Sequence, residues 1–294
     1  MTQPVLLTTD FSSNSRRAYP AAVHLARQTG APIRLLHIIE HLFAGWSSDT
    51  TLSWDENKVA EASRNGLEAD AATLRREGVE VQTVLRSGSV VSQITSEAEV
   101  CSALVLATHG FGGAKGLLLG STAGRLLRTC MTPLLTVGPD ATEEPKGLVL
   151  APIDIHEPPC RGIVDELQRL GQQVDQIELY HAIQSPSAVL MDPTMSAMWN
   201  TKIAEEILVI ARTRLEEHAT LVRTGSALVT MHIEHARRPA EAIAERARSI
   251  GAKLIVMSAH GTRGVTRLFA GSVAEEVIRT APCPVFTLRR KPSV

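Results

Sequence analysis

The chain repeats itself, and that repeat limits what it can fold into. Sliding the sequence by 151 residues lays Ala107–Val137 on Ser258–Leu288 without a gap, with identical residues at eleven of 31 positions. The matches fall on His109, Gly110, Gly113, Leu117, Gly120, Ser121, Ala123, Arg128, Thr129, Pro133 and Thr136. Near the start of each half the offset is 144. "VLLTTD" (Val5–Asp10) lies on "VLAPID" (Val149–Asp154), and "LLH" (Leu35–His37) on "LYH" (Leu179–His181). A repeat this long is a duplicated domain, not a solenoid unit. The junction "GPDATEEPKG", Gly138–Gly147, is polar and holds two prolines. The expected organisation is therefore one domain over 1–140, a linker over 141–147 and a second domain over 148–294.

Within each half, strand-length apolar runs alternate with helical patterns. Strands are expected near Val5–Thr9, Ile33–Ile38, Val79–Leu85, Leu104–Thr108 and Leu134–Val137. Helices are expected near Ser13–Gln28, Glu56–Glu77, Val90–Val100 and Thr122–Cys130. The first, fourth and fifth strands are solidly apolar rather than alternating, as in a parallel sheet covered by helices on both faces. The second half repeats the order, with strands near Leu148–Ile153, Gln176–His181, Ala227–Ile233, Leu254–Ser258 and Val285–Leu288. The fold class is α/β, with two doubly wound parallel five-stranded sheets, one per repeat. Pro20 falls inside the first helical pattern, which leaves either a kink or a late start with Pro20 in the first turn.

Charge and cysteines narrow the function. Thirty basic and 31 acidic residues give a net charge of −1. That balance carries no electrostatic footprint for nucleic acid and no polybasic membrane patch. No apolar run reaches the roughly 18 residues of a membrane span, and "MTQPVLLTTDF" does not read as a signal peptide. Cys101, Cys130, Cys160 and Cys283 form no C-x-x-C pair or zinc spacing and read as small buried hydrophobes, which suits a cytoplasmic protein.

The chemistry-bearing feature is the loop after the fourth strand, "THGFGGAKGLLLGS" (Thr108–Ser121), with its second copy "AHGTRGVTRLFAGS" (Ala259–Ser272). In an open parallel sheet, ligands sit at the carboxyl ends of the strands where the strand order reverses. Asp10 follows strand 1 there, and the glycine loop follows strand 4. The loop ends at Gly120-Ser121, where a helix begins. A helix N-terminus offers unpaired N–H groups and partial positive charge to a phosphate, and glycines allow close backbone approach. Ser121 can cap the helix or turn to a phosphate, while Asp10 can accept from a ribose or base edge. A Gly-Ser before a helix is also a common cap, but here the pattern occurs twice, each time with an Asp closing strand 1. There is no P-loop sequence, and "GFGGAKG" follows the wrong strand for a dinucleotide fingerprint.

At these residues each half resembles a universal stress protein domain. The family's nucleotide-binding pattern, G-x2-G-x9-G-[ST], is met by Ala107-Thr-His109-Gly110 with Gly120-Ser121, and by Ser258-Ala-His260-Gly261 with Gly271-Ser272. "LLHII", "KLIVMSAHG" and "APCPVFTL" are similar to the family's habits as well. The resemblance covers essentially the whole chain and implies a Rossmann-like, adenine nucleotide alpha hydrolase-like fold in both halves. It departs at the first glycine, which is Ala107 in one half and Ser258 in the other. Carried over by position, the family's adenine and ribose contacts fall on Thr9, Asp10, Ile38 and Leu106, and its phosphate contacts on His109, Gly110, Gly120, Ser121 and Thr122, with Gly113 inside the loop. In the second half they fall on Ile153, Asp154, Ala182 and Met257, then His260, Gly261, Gly271, Ser272 and Val273. The implied cofactor is ATP or a related adenine nucleotide, with Mg as a companion. The implied role is a nucleotide-dependent regulator of the stress response that acts on an unidentified protein partner.

No nucleophile–base–orienter set is visible, so no catalytic residue is assigned. A slow ATPase and a nucleotide-free scaffold stand as the alternatives. No metal site is assigned either: His232 and His235 of "HIEH" point to opposite faces of a strand. Trp46, Trp54 and Trp199 lie in the long connections after strand 2 of each half, read as local packing or as a flap. The fifth strand is an edge that invites pairing, which leaves an internal pseudo-dimer or a homodimer open.

Overall fold

The computed structural model describes residues 2–40, 56–109, 119–139, 141, 147–184, 204–223, 225–259 and 272–289. The chain divides into two compact units, Met1–Pro139 and Asp140–Val294.

Unit 1 runs β1 (Val5–Thr8), α1 (Ser13–Arg16), α2 (Tyr19–Thr29), β2 (Ile33–Ile39), α3 (Glu56–Arg76), β3 (Val81–Ser87), α4 (Val90–Ala98), β4 (Ala103–Ala107), α5 (Ser121–Thr129) and β5 (Leu134–Val137). Its strands lie in the order β3-β2-β1-β4-β5, and every pairing is parallel. The fold class read from the repeat is the one found. Val5, Leu6, Leu7, Leu104 and Val105 are fully buried, because helices cover both faces of the central strands. The edge strand β3 is buried only at Val81 and is half-buried or exposed along the rest of its length.

The expected single helix over Ser13–Gln28 is two helices. Ser12 caps α1, its hydroxyl accepting from the Ser15 N–H at 3.0 Å. The chain then turns, and α2 starts afresh with Pro20 in its first turn, where a missing N–H is harmless. The late start is thus the arrangement adopted. At the other end of α2, Gly30 takes φ +63° and returns its N–H to the Ala26 carbonyl, which stops the helix before β2.

Unit 2 runs β6 (Leu148–Pro152), α6 (Arg161–Leu170), β7 (Gln176–Gln184), α7 (Ala204–Val222), β8 (Leu228–Ala236), α8 (Pro239–Ser249), β9 (Leu254–Ser258), α9 (Ser272–Thr280) and β10 (Val285–Leu288). The order is β8-β7-β6-β9-β10, parallel at the pairings that build the β6–β9 crevice. Among the described residues, no helix is long and apolar enough to cross a membrane. Cys101, Cys130 and Cys283 are buried as expected, whereas Cys160, next to the start of α6, is half-buried. His232 and His235 lie within β8, and the described residues hold no cluster able to bind a metal ion.

Candidate functional site

In unit 1 the chain leaves β1 toward β2 on one side, while β4 pairs on the other, so the strand order reverses between β1 and β4. Leu7 pairs with Val105, and continuing that register sets Thr9 level with Ala107 and Asp10 level with Thr108. The residues singled out after strands 1 and 4 are therefore neighbours at the carboxyl edge, where a crevice forms in such sheets.

Asp10 begins a tight turn. Its Oδ1 accepts the Ser12 N–H at 3.0 Å, so the carboxylate stabilises its own loop. The next residue, Phe11, takes φ +64°, unusual for a residue with a bulky side chain. Its ring lies 4.2 Å from the His37 ring, and an added Cβ on Gly66 of α3 would meet it at 3.1 Å. Absence of a side chain at Gly66 makes the space for Phe11. Thr9 is buried, and its polar atoms are all engaged within the protein. Its N–H donates to the Leu36 carbonyl, its carbonyl accepts from His37 Nδ1 at 2.8 Å, and its hydroxyl receives the Phe11 N–H at 3.0 Å. Thr9 thus holds the Asp10 turn in place.

Behind it sits a buried polar network. The Tyr19 hydroxyl donates to Asp70 Oδ2 at 2.6 Å and lies 2.9 Å from the Thr9 hydroxyl, while Arg16 Nε donates to Asp70 Oδ1 at 3.0 Å. Burial and the Asp70 carboxylate push the Tyr19 phenol well above its ordinary pKa, so it stays protonated. Burial pulls the His37 pKa down, against the opposing pull of the Thr9 carbonyl and the Asp10 charge. His37 therefore tends to the neutral form, with its Nδ1 proton on the Thr9 carbonyl.

The peptide of Ile38 faces the crevice. Val5 and Thr9 donate to the carbonyls of Pro32 and Leu36, whereas Ile33 N–H and Ile39 C=O bond on the β3 side. Even-numbered peptides of β2 therefore turn toward β1, and that of Ile38 points past the end of β1.

Across the crevice, the Thr108 N–H donates to the Val137 carbonyl, and the Thr108 carbonyl accepts the Gly120 N–H at 2.9 Å. That bond pinches the two ends of the glycine loop together. A Cβ on Gly120 would come within 2.8 Å of the same carbonyl oxygen, closer than side chains are found, so only glycine closes the loop this way. Gly120, not Ser121, occupies the N-cap of α5. The cap has no side-chain hydrogen bond and the first turn no acidic residue. Ser121 is exposed and Thr122 half-buried just beyond it. His109 Nδ1 meets the Thr108 hydroxyl at 3.0 Å, and its buried Nε2 has no hydrogen-bond partner among the described residues. Leu106 is buried and Ala107 half-buried beneath this corner. Gly110 and Gly113 lie outside the described residues.

Two stretches of this chain now carry the same construction, and a family model described as the universal stress protein family matches both, over residues 1–138 and 149–289. The chain belongs to the universal stress protein family. A universal stress protein of Mycolicibacterium smegmatis is 29% identical over 297 residues, covering 97% of this chain and 96% of that one. One of Mycobacterium tuberculosis is 25% identical over 280 residues, 90% of each chain. Among solved structures, a universal stress protein from Archaeoglobus fulgidus shares the fold with a TM-score of 0.67 at 21% identity, covering 99% of this chain and all of that one.

The second universal stress protein repeat rebuilds the corner with differences. The Ile153 N–H donates to Tyr180, and its carbonyl meets His181 Nδ1 at 2.9 Å, matching Thr9 and His37. Burial lowers the His181 pKa, as at His37. Asp154 Oδ1 accepts the His156 N–H at 3.0 Å, the same turn as at Asp10. Met257 is buried and Ser258 half-buried at the end of β9. Ser272 is exposed and Val273 half-buried at the start of α9, whose first turn contains Glu275. His260, Gly261 and Gly271 lie outside the described residues, as do Trp46, Trp54 and Trp199.

Sequence reasoning did not assign a role to His37, Phe11, Tyr19, Asp70 or Gly66. The histidine had a signal, since it recurs at the end of strand 2 in both repeats. The Tyr19–Asp70 pair had none, because its members are separated by 51 residues in the chain.

Proposed function

We propose that unit 1 binds an adenine nucleotide in the β1–β4 crevice, and that the protein is a cytoplasmic, nucleotide-dependent regulator of the stress response. The observation that carries this reading is the corner where the acid-free N-terminus of α5, with no side-chain cap, comes against the backbone of His109, whose buried Nε2 has no hydrogen-bond partner among the described residues. A buried ring nitrogen without a hydrogen bond is costly, and an anion there would satisfy it together with the free helix N–H groups. The Ile38 peptide supplies one donor and one acceptor for a base edge, and Asp10 an acceptor for ribose hydroxyls. ATP, with Mg as its counter-ion, fits this donor set: His109, Gly120, Ser121 and Thr122 would hold the phosphates. The relation of Ile153, Asp154, Met257, Ser272 and Val273 to a second site is proposed on the same grounds, with weaker phosphate binding because Glu275 opposes an anion. A partner protein that senses occupancy is part of the proposal.

The test is calorimetric titration of the full chain with Mg-ATP, alongside anion-exchange analysis of nucleotide released on denaturation. Binding is expected in unit 1, weakened about tenfold or more by His109→Ala, the equivalent of one charge-assisted hydrogen bond. Asp10→Asn keeps an acceptor for the Ser12 N–H and should weaken binding without disturbing the turn. No released nucleotide and no heat from Mg-ATP would leave a nucleotide-free scaffold as the better account.

A further inference from the structure

The two repeats carry the same three-charge arrangement with every sign reversed. In unit 1, Glu97 is the eighth residue of α4. It receives Arg34 Nη2 of β2 at 2.9 Å and Arg86 Nε of β3 at 2.6 Å. In unit 2, the eighth residue of α8 is Arg246. It donates through Nε and Nη2 to both oxygens of Glu178 on β7, at 2.7 and 2.8 Å; Glu234, at the neighbouring position of β8, accepts the Tyr180 hydroxyl and acts on Arg246 through its charge alone.

Strand register makes the equivalence strict. Ile33 pairs with Val81 and Ile38 with Arg86; Ile177 pairs with Val229 and Ala182 with Glu234. Arg34 and Glu178 are thus the same position of strand 2, and Arg86 and Glu234 the same position of strand 3. The helices match as well: buried Val91, Ile94 and Ala98 of α4 correspond to buried Ala240, Ile243 and Ala247 of α8. An Arg–Glu–Arg triad in one repeat is a Glu–Arg–Glu triad in the other.

Apolar faces this similar do not choose between two similar sheets, because hydrophobic burial is non-directional. Tandem domains are prone to misassembly for that reason. The triads do discriminate. If α8 docked on β2 and β3, Arg246 would sit between Arg34 and Arg86. If α4 docked on β7 and β8, Glu97 would sit between Glu178 and Glu234. Glu97 and Glu178 are only 10% and 6% exposed at their side chains and Arg34 and Arg246 25% each, so solvent would screen these clashes only in part. We propose that the reversed triads form a partner code that directs each crossover helix to the sheet of its own repeat and bars exchange between unlike repeats, within one chain or between two copies.

The test first exchanges the charges within unit 1 without changing which positions are paired, so that the discrimination is removed. In the full chain, Arg34→Glu, Arg86→Glu and Glu97→Arg together give unit 1 the polarity of unit 2. After refolding from urea at micromolar concentration, size-exclusion chromatography with light scattering should show the monomer yield reduced severalfold, with exchanged multimers in its place. Adding Glu178→Arg, Arg246→Glu and Glu234→Gln, where Gln retains an acceptor for Tyr180, restores opposite polarity and should return the monomer. A threefold-substituted chain that refolds like the wild type overturns the proposal. So does failure of both variants, which would assign the defect to local strain rather than to lost discrimination.

Discussion

Gly120→Ala separates two readings of the glycine loop. Gly120 has φ −54°, a conformation that alanine adopts freely. If flexibility were the reason for glycine here, alanine would stabilise the fold by about 0.4–1 kcal/mol through a less disordered unfolded chain. The structure points the other way. The new Cβ would lie 2.8 Å from the Thr108 carbonyl oxygen. That oxygen cannot easily yield, because it accepts the Gly120 N–H and the Thr108 N–H is tied to Val137. Overpacking of this kind costs about 1–3 kcal/mol, and alanine is a poorer N-cap than glycine by several tenths. The clash outweighs the entropy gain, for a net loss of about 1–3 kcal/mol. Hydrogen exchange should show it locally, as lost protection in the first turn of α5 and at Thr108, with Mg-ATP affinity falling alongside. Gly162→Ala is the control. Gly162 lies in α6, where a Cβ meets nothing closer than Leu288 at 3.8 Å, so alanine should stabilise by about 0.5–1 kcal/mol. A Gly120→Ala chain as stable as the wild type, with unchanged exchange at α5, would refute the close-approach argument.

Tyr19→Phe should cost about 1.5–3 kcal/mol in urea unfolding, since it removes a hydrogen bond to a buried carboxylate. Asp70→Asn should show a coupling of about 1–2 kcal/mol with it in a double-mutant cycle, and strict additivity would exclude the network. The pH dependence has a definite sign. His37 and His181 have folded pKa values below the ordinary histidine value of 6.5, so on acidification the unfolded chain takes up their protons first. Stability from these two residues is complete above that value, falls as pH drops through it, and levels off below the folded pKa. Urea midpoints at successive pH values should show the decline, and it should flatten when both histidines are replaced by glutamine.

The fold was legible because its signals are local. The solid apolar runs at β1, β4 and β5 and the fixed offset between repeats need no knowledge of contacts. The division of Ser13–Gln28 into two helices was half legible: Pro20 announced a boundary, but the Ser12 cap that ends the ambiguity depends on a backbone turn. At the site, Asp10 and the glycine loop were visible as motifs, whereas the role of Gly120 was not. Its identity is set by a carbonyl twelve residues earlier that the loop brings back to it. His37, the Tyr19–Asp70 pair and the charge triads join residues through strand register, which no short window of sequence contains.

The differences between the repeats argue for unequal sites. Strand and helix register place Thr9, Ser15, Arg16, Tyr19 and Asp70 of unit 1 against Ile153, Pro159, Cys160, Ile163 and His218 of unit 2. The helix equivalence holds because buried Leu67, Ala71 and Leu74 fall on buried Leu215, Ala219 and Val222. Unit 1 therefore holds its Asp10 turn with a buried, charge-assisted polar network. Unit 2 packs that region with apolar side chains, and His218 Nδ1 turns back to the Arg214 carbonyl of its own helix at 2.8 Å. Hydrogen-bond networks fix geometry more tightly than apolar contact, because they fail with small displacements. The same unit also has the acid-free helix start, while the other places Glu275 in its first turn. Geometry and charge favour an anion in the same repeat. On the proposed nucleotide-binding reading, these two independent differences predict one nucleotide per chain, released from unit 1 on denaturation.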